Sequence, residues 1–167
     1  GLPWQQVYGL GTMLDTARFS SFIAEELKLA PSQVKALILG EHGDSMLPIW
    51  SSATVNGFLL AGLPECSAGF QNAVFERTRT SGAEVIKKKG GAGWAVGIAI
   101  REVVHAVLLN KKTLLPVSSL VQGAYDVREI CLSVSSVVGR KGVEKHVEIK
   151  LWPKELMALQ QSARSLK

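Results

Sequence analysis

The last third of the chain limits its architecture more than any other stretch. From residue 113 the texture turns to β-branched runs: TLLPVSSLV, EICLSVSSVVG and VEKHVEIKL. The last two are joined by Gly139-Arg140-Lys141-Gly142, a hairpin signal. Hairpin strands pair antiparallel, so this region predicts a meander. The residues before it are mainly helical in pattern. In LDTARFSSFIAEELKL, residues 14 to 29, Leu14, Ala17, Phe22, Ile23 and Leu27 fall near one face, and Ala30-Pro31-Ser32 ends the helix. Val34 to Leu39 reads as a short buried strand and Leu47 to Val55 as a second extended segment. Residues 56 to 69, with Gly57, Gly62, Pro64 and Gly69, read as a loop.

Residues 70 to 89 form a second helical candidate, weakened near Gly82 and stopped by Gly90-Gly91. Residues 93 to 110, GWAVGIAIREVVHAVLLN, are apolar almost all round, which predicts a buried helix. Residues 153 to 166 predict a closing helix with Pro153 in its first turn. The order is helix, strands, two helices, a meander and a helix. That is an α+β arrangement, with helices packed on a mixed or antiparallel sheet, and not a βαβαβ series. No GxGxxG follows a strand, so no dinucleotide-binding unit is read. The 167 residues suit one domain, 1–167, large enough to bury a core.

Composition narrows the function classes. Hydrophobic residues make up 47% and charged residues 20%, an ordinary globular balance. The net charge of +5 comes from scattered lysines with one cluster at Lys87-Lys88-Lys89. No aromatic residue is interleaved with that cluster, which argues against nucleic acid as a partner. No apolar run reaches ~18 residues, so no membrane span is expected. Cys66 and Cys131 lie far apart and near no histidine, which makes neither a metal motif nor a disulfide framework. A reducing cytoplasm is the expected setting. The opening GLPWQQVYGLG is not a secretory signal and has no initiator methionine, so a piece of a longer chain is expected.

Two stretches carry chemistry. Asp15 and Arg18 stand three apart at the start of the first helix and share a face. They are either a local ion pair at a helix N-terminus or part of a site. Their apolar neighbours Leu14, Ala17 and Phe19 make unpaired charge there expensive. In ILGEHGDSMLPIW, residues 38 to 50, a buried-looking strand runs straight into His42. Histidine titrates near neutrality and suits a proton shuttle. A carboxylate on one ring nitrogen would fix its tautomer, and an arginine fork is the natural clamp for a substrate carboxylate. Asp15, Arg18 and His42 together suit an anionic substrate that gains or loses a proton. Spacing alone does not bring the three together.

GLGTMLDTARF, followed by LILGEHGDSMLPIWS, resembles the catalytic half of the lactate and malate dehydrogenase family. RTRTSGAEVIKKKG, AYDVREICLSVSSVVGRKGVE and the closing helix have counterparts in the same order. The resemblance implies the fold of that family's C-terminal domain, with the NAD-binding Rossmann half absent from this chain. It implies a proton relay of His42 and Asp15, and substrate binding by Arg18 and Ala92. It places Leu10 and Val96 beside the cofactor, NAD, which the missing domain mainly holds. The implied partners are a small 2-oxo or 2-hydroxy acid, the N-terminal Rossmann domain and further copies of the chain. On its own the domain is expected to be inactive. An exposed apolar face, bordered by Tyr8 to Met13 and by residues near Val96, is expected where the missing domain packs.

The substrate signals are mixed. Glu41 before the histidine and LSVSSVVGR lean toward lactate enzymes. RTRTSGAEV, Ala92 in KGGAGWA and the apolar Leu10 lean toward malate enzymes. Lactate is the preferred reading, with malate as the alternative and a non-catalytic oligomerisation module as the rival from another class. Ser20 and Leu37 stand where some bacterial lactate enzymes carry the arginine and histidine that bind fructose 1,6-bisphosphate, so that regulation is not expected. His105 is expected in a core or interface, His146 facing solvent, and Trp4, Trp50, Trp94 and Trp152 in packing roles.

Overall fold

The computed structural model describes residues 1–91 and 93–166, so Ala92 lies outside the described residues. A two-residue strand β1 (Tyr8–Gly9) leads into helix α1 (Met13–Glu26). Strands β2 (Val34–Leu39), β3 (Leu47–Val55) and the short β4 (Phe58–Leu59) follow. Helices α2 (Ala68–Lys89) and α3 (Gly93–Leu108) come next. The meander is β5 (Thr113–Leu115), β6 (Ser118–Gln122), β7 (Arg128–Ser133), β8 (Ser136–Gly139) and β9 (Gly142–His146). Helix α4 (Pro153–Arg164) closes the chain, with Pro153 at its first position.

All strand pairs among the described residues are antiparallel. They form three sheets, ordered β1-β6-β7, β2-β3-β4 and β5-β8-β9. The β8–β9 hairpin pairs Gly139 with Gly142 across Arg140-Lys141, as the sequence predicts. The first two sheets meet where Gly40, just beyond β2, exchanges backbone hydrogen bonds with Ser133 at the end of β7 (3.0 and 3.2 Å).

Three apolar clusters hold these layers together. Phe19 and Ile23 of α1 pack with Ile38, Trp50 and Val74, and the Trp50 ring meets Phe19 edge-on at 4.8 Å. Leu39 and Ile49 pack with Val121, Leu132 and Leu159, which docks α4 on the β2–β3 sheet. Ala106 of α3 packs with Val117, Val138 and Val143. Each fully buried aliphatic or aromatic side chain contributes roughly 1.5–3 kcal/mol.

Five expectations need correction. Helix α3 is not buried: only Ala99 and Ala106 are, while Trp94 is 89% exposed and Ile98 and Leu108 face solvent. Trp94 therefore does not pack, unlike Trp50. His146 does not simply face solvent. It is half-buried, its Nε2 lies 2.9 Å from Ser119 Oγ, and it sits against the Trp4 ring. Gly82 does not interrupt α2, which runs unbroken from Ala68 to Lys89. Helix α1 stops at Glu26, short of Leu29, because Lys28 turns into the left-handed region at φ +55°.

Candidate active site

Two threonines bring the start of α1 to the end of β2. Thr12 occupies the N-cap position, but its hydroxyl donates to the Ile38 carbonyl (2.5 Å) rather than capping the helix. One turn on, Thr16 Oγ1 accepts the Ile38 N–H (2.9 Å). Both polar groups of Ile38 are thus held by the first turn of α1. The chain leaves β2 one residue later, at Leu39, and brings His42, four residues after Ile38, beside Asp15.

It does so through Gly40, which turns at φ +91°. A side chain there would press on Ser162 Oγ and on Leu47, at 2.8 and 2.9 Å, so only glycine fits both the turn and the space. His42 follows. Its Nδ1 lies 2.6 Å from Asp15 Oδ2. Arg18, one turn along α1, brings Nη1 to 3.7 Å from Asp15 Oδ1. The sequence alone could not join these three residues, and the fold does.

Burial sorts their roles. Asp15 is 1% exposed, and an uncompensated charge at that depth costs several kcal/mol. A second buried carboxylate, Glu155, shows the structural alternative. It accepts the backbone N–H groups of Trp50, Ser51 and Trp152 at 2.8, 3.0 and 2.9 Å, and so fastens α4 to β3. Asp15 is instead turned toward the ionisable side chains of His42 and Arg18. The His42 side chain is 59% exposed, so the pair is anchored at its buried end and open at its outer end.

With Asp15 ionised, Nδ1 carries the proton and Nε2 is left to face solvent chemistry. The Asp15 hydrogen bond holds the His42 pKa above the ordinary histidine value. Partial burial and the Arg18 charge pull it down, while the charges of Asp15 and Glu41 add to the rise. A histidine can take or give one proton, and the paired carboxylate favours its charged form.

Leu10 is half-buried just ahead of α1, and Val96 is half-buried in the first turn of α3. They offer apolar side chains and take no part in the hydrogen-bonded group. The position of Ala92 is outside the described residues. Sequence reasoning missed Thr12, Thr16 and Gly82. A Cβ on Gly82 would lie 3.2 Å from Arg18 Nη1, so this glycine lets α2 pass close beside the guanidinium. The one visible signal was a glycine inside an otherwise helical run. Among the described residues no group of three His, Cys, Asp or Glu side chains is placed to hold a metal ion. No helix among them is long and apolar enough to cross a membrane.

The family model for the lactate/malate dehydrogenase α/β C-terminal domain matches residues 12–167. An L-lactate dehydrogenase from Gloeobacter violaceus is 40% identical over 100% of this chain and 52% of its own length. A malate dehydrogenase from Trichormus variabilis is 41% identical over 99% of this chain and 51% of its own length. The crystal structure of the minor L-lactate dehydrogenase from Enterococcus mundtii, in a ligand-bound form, superposes with a TM-score of 0.94 at 32% identity. It covers 99% of this chain and 54% of that one. The chain thus spans about half the length of the curated relatives it matches.

Proposed function

Because the chain belongs to the lactate/malate dehydrogenase family, we propose that residues 1–167 form the substrate-binding and catalytic domain of an NAD-dependent 2-hydroxy-acid oxidoreductase acting on lactate and pyruvate. The observation that carries this reading is the 2.6 Å contact between His42 Nδ1 and the buried Asp15 carboxylate, with Arg18 on the same helix turn.

In the proposed reaction Asp15 holds the His42 tautomer and stabilises its protonated form. His42 Nε2 gives a proton to the carbonyl oxygen of the keto acid, or takes one from the hydroxyl of the hydroxy acid. Arg18 grips the substrate carboxylate with two parallel N–H donors. The family resemblance assigns substrate binding to Ala92 as well. NAD, when bound, supplies or accepts the hydride. The half-buried apolar side chains of Leu10 and Val96 suit an uncharged dihydronicotinamide face, and these two residues would lie beside it.

The remaining contacts of the cofactor belong to the proposed partner, an N-terminal Rossmann domain of the same longer protein. The outward face of α3, with Trp94, Ile98 and Leu108 exposed, is the apolar surface this domain or a second copy would cover. The free thiols of Cys66 and Cys131 fit a cytoplasmic enzyme. The 41% identity to a malate dehydrogenase supports a second reading, with oxaloacetate and malate as substrates. A purely oligomeric role gives no reason to keep Asp15 buried beside Arg18 and His42.

The test is steady-state kinetics of the full-length protein with pyruvate and with oxaloacetate. Pyruvate is expected to give the higher kcat/KM, and His42→Ala is expected to lower kcat by about 10²–10⁴-fold. Near-normal kcat for that variant on both acids would remove His42 from the mechanism.

A further inference from the structure

We propose that Ser162, near the end of α4, is a positioning residue for His42, acting through a closed ring of hydrogen bonds with Ser45 and Glu41. The proposal rests on the reading of His42 as the proton-transfer group.

Proton counting closes the ring. Ser162 is 1% exposed, and its Oγ accepts the Glu41 backbone N–H at 2.9 Å. The Ser45 hydroxyl donates to Glu41 Oε2 at 2.5 Å. Ser45 Oγ and Ser162 Oγ lie 3.0 Å apart. A serine hydroxyl has one proton to give. That of Ser45 goes to the charged acceptor, so Ser162 must donate across the 3.0 Å contact. Ser165 Oγ also lies near Ser45, at 3.3 Å, but its proton goes to the Ser162 carbonyl at 2.8 Å. It stands outside the ring. The path is therefore Glu41 N–H to Ser162, Ser162 to Ser45, and Ser45 back to the Glu41 carboxylate.

This ring brackets His42 on both sides, at residues 41 and 45. Its third member comes from a helix more than a hundred residues away in the chain. Next to it, Gly40 is fixed by the Ser133 backbone, and its lack of a Cβ is what lets Ser162 approach. The two anchors divide the work. Asp15 on α1 holds the imidazole, and Ser162 on α4 holds the backbone that carries it. Among the described residues no hydrogen bond joins Ser162 or Ser45 to Arg18, so the ring should govern proton transfer and leave substrate binding alone.

The experiment uses the full-length protein with Ser162→Ala, Ser45→Ala, the double variant, Ser165→Ala and His42→Ala. Loosening the loop should lower kcat for keto-acid reduction about tenfold in Ser162→Ala and in Ser45→Ala, with KM within about 3-fold of the parent. Both should shift the alkaline limb of the kcat/KM profile to lower pH, because the His42–Asp15 contact is less often made. The double variant should be no worse than the worse single one, since either change opens the ring. Ser165→Ala should match the parent.

Loss of melting temperature with normal kcat and an unmoved pH limb in Ser45→Ala overturns the proposal. The same holds if the two single effects multiply. Should Ser162→Ala fail to fold, Ser45→Ala decides alone, since Ser45 is only partly buried. His42→Ala separates the two readings. If it stays active, the role of His42 itself is wrong. If it is inactive while Ser45→Ala behaves as the parent, only the positioning role falls.

Discussion

Replacing Gly82 by Ala should make the protein more stable and weaken the proposed activity. Gly82 sits inside the 22-residue helix α2, where Ala is favoured over Gly by about 0.8–1 kcal/mol. Against this, the new Cβ would stand 3.2 Å from Arg18 Nη1. That is tighter than the ~3.5 Å of an ordinary contact, so the guanidinium must withdraw by a few tenths of an ångström. It ends a long side chain, and its nearest charge, Asp15 Oδ1, is already at 3.7 Å, so the retreat costs folding little. The net stability change should be a gain of about 0.5–1 kcal/mol, read from denaturant melts.

The proposed grip of Arg18 on a substrate carboxylate is less tolerant. A fork that holds a planar carboxylate by two N–H groups loses alignment when it is displaced. The expected fall in kcat/KM is about 3–10-fold, or about 0.7–1.4 kcal/mol, and most of it should appear as a higher KM. The assay is steady-state kinetics on pyruvate and oxaloacetate beside melts of the same full-length preparations. A more stable variant with unchanged kcat/KM on both acids would refute the clearance role of Gly82. A variant destabilised by more than ~1 kcal/mol would show that Arg18 cannot yield, contrary to the reasoning.

Three further outcomes follow from the same geometry. Asp15→Asn removes the main cause of the raised His42 pKa, so the alkaline limit of keto-acid reduction should move to lower pH while kcat falls; a pH–rate profile whose limb stays in place contradicts this. The chain has three histidines, and an NMR titration should find His42 above the ordinary value near ~6.5 and His146, depressed by burial, below it. The His42 pair then stabilises the fold below ~6.5 and fades as pH rises through its raised pKa. The His146 contribution is present above ~6.5 and fades as pH falls through its lowered pKa, and coincident titrations would refute both signs. Finally, the 167-residue chain should bind a hydrophobic dye or self-associate through the outer face of α3, and Trp94→Lys should weaken this; a dye-free monomer would contradict it.

The ease of reading the sequence followed how local each cause is. Strands β2 and β3 fall on the residues the sequence predicts, because a short apolar run is written into neighbouring positions. The i, i+3 pairing of Asp15 and Arg18 was visible for the same reason. Their union with His42 was reached only by resemblance. The bonds that enforce it, from Thr12 and Thr16 to Ile38, join a helix turn to a strand through side chains with no periodic signature. Ser162 is harder still, since nothing near it in the chain points to Glu41. His146 misled because alternation on a two-sided strand says which residues share a face and not what lies above that face. Here Trp4 and Ser119 cover it.

Helix α3 exposes a different limit. An all-round apolar helix reads as buried because patterning counts apolar surface and is blind to what covers it. In this chain its inner stripe, Ala99 and Ala106, is small and packs closely, while the large side chains point outward. Covering a Trp94 or an Ile98 is worth roughly 1.5–3 kcal/mol each, and Ile100, Val104 and Leu108 extend the same exposed set. Together they represent a free energy comparable to the ~5–15 kcal/mol that holds a whole domain folded. That free energy is not used in folding this domain and is available for association. The patterning thus identified a helix made for burial and misassigned the surface that buries it. In the proposed enzyme that surface is a neighbouring domain or copy, seated on the helix that carries Val96 and at the edge of the site built by Asp15, Arg18 and His42.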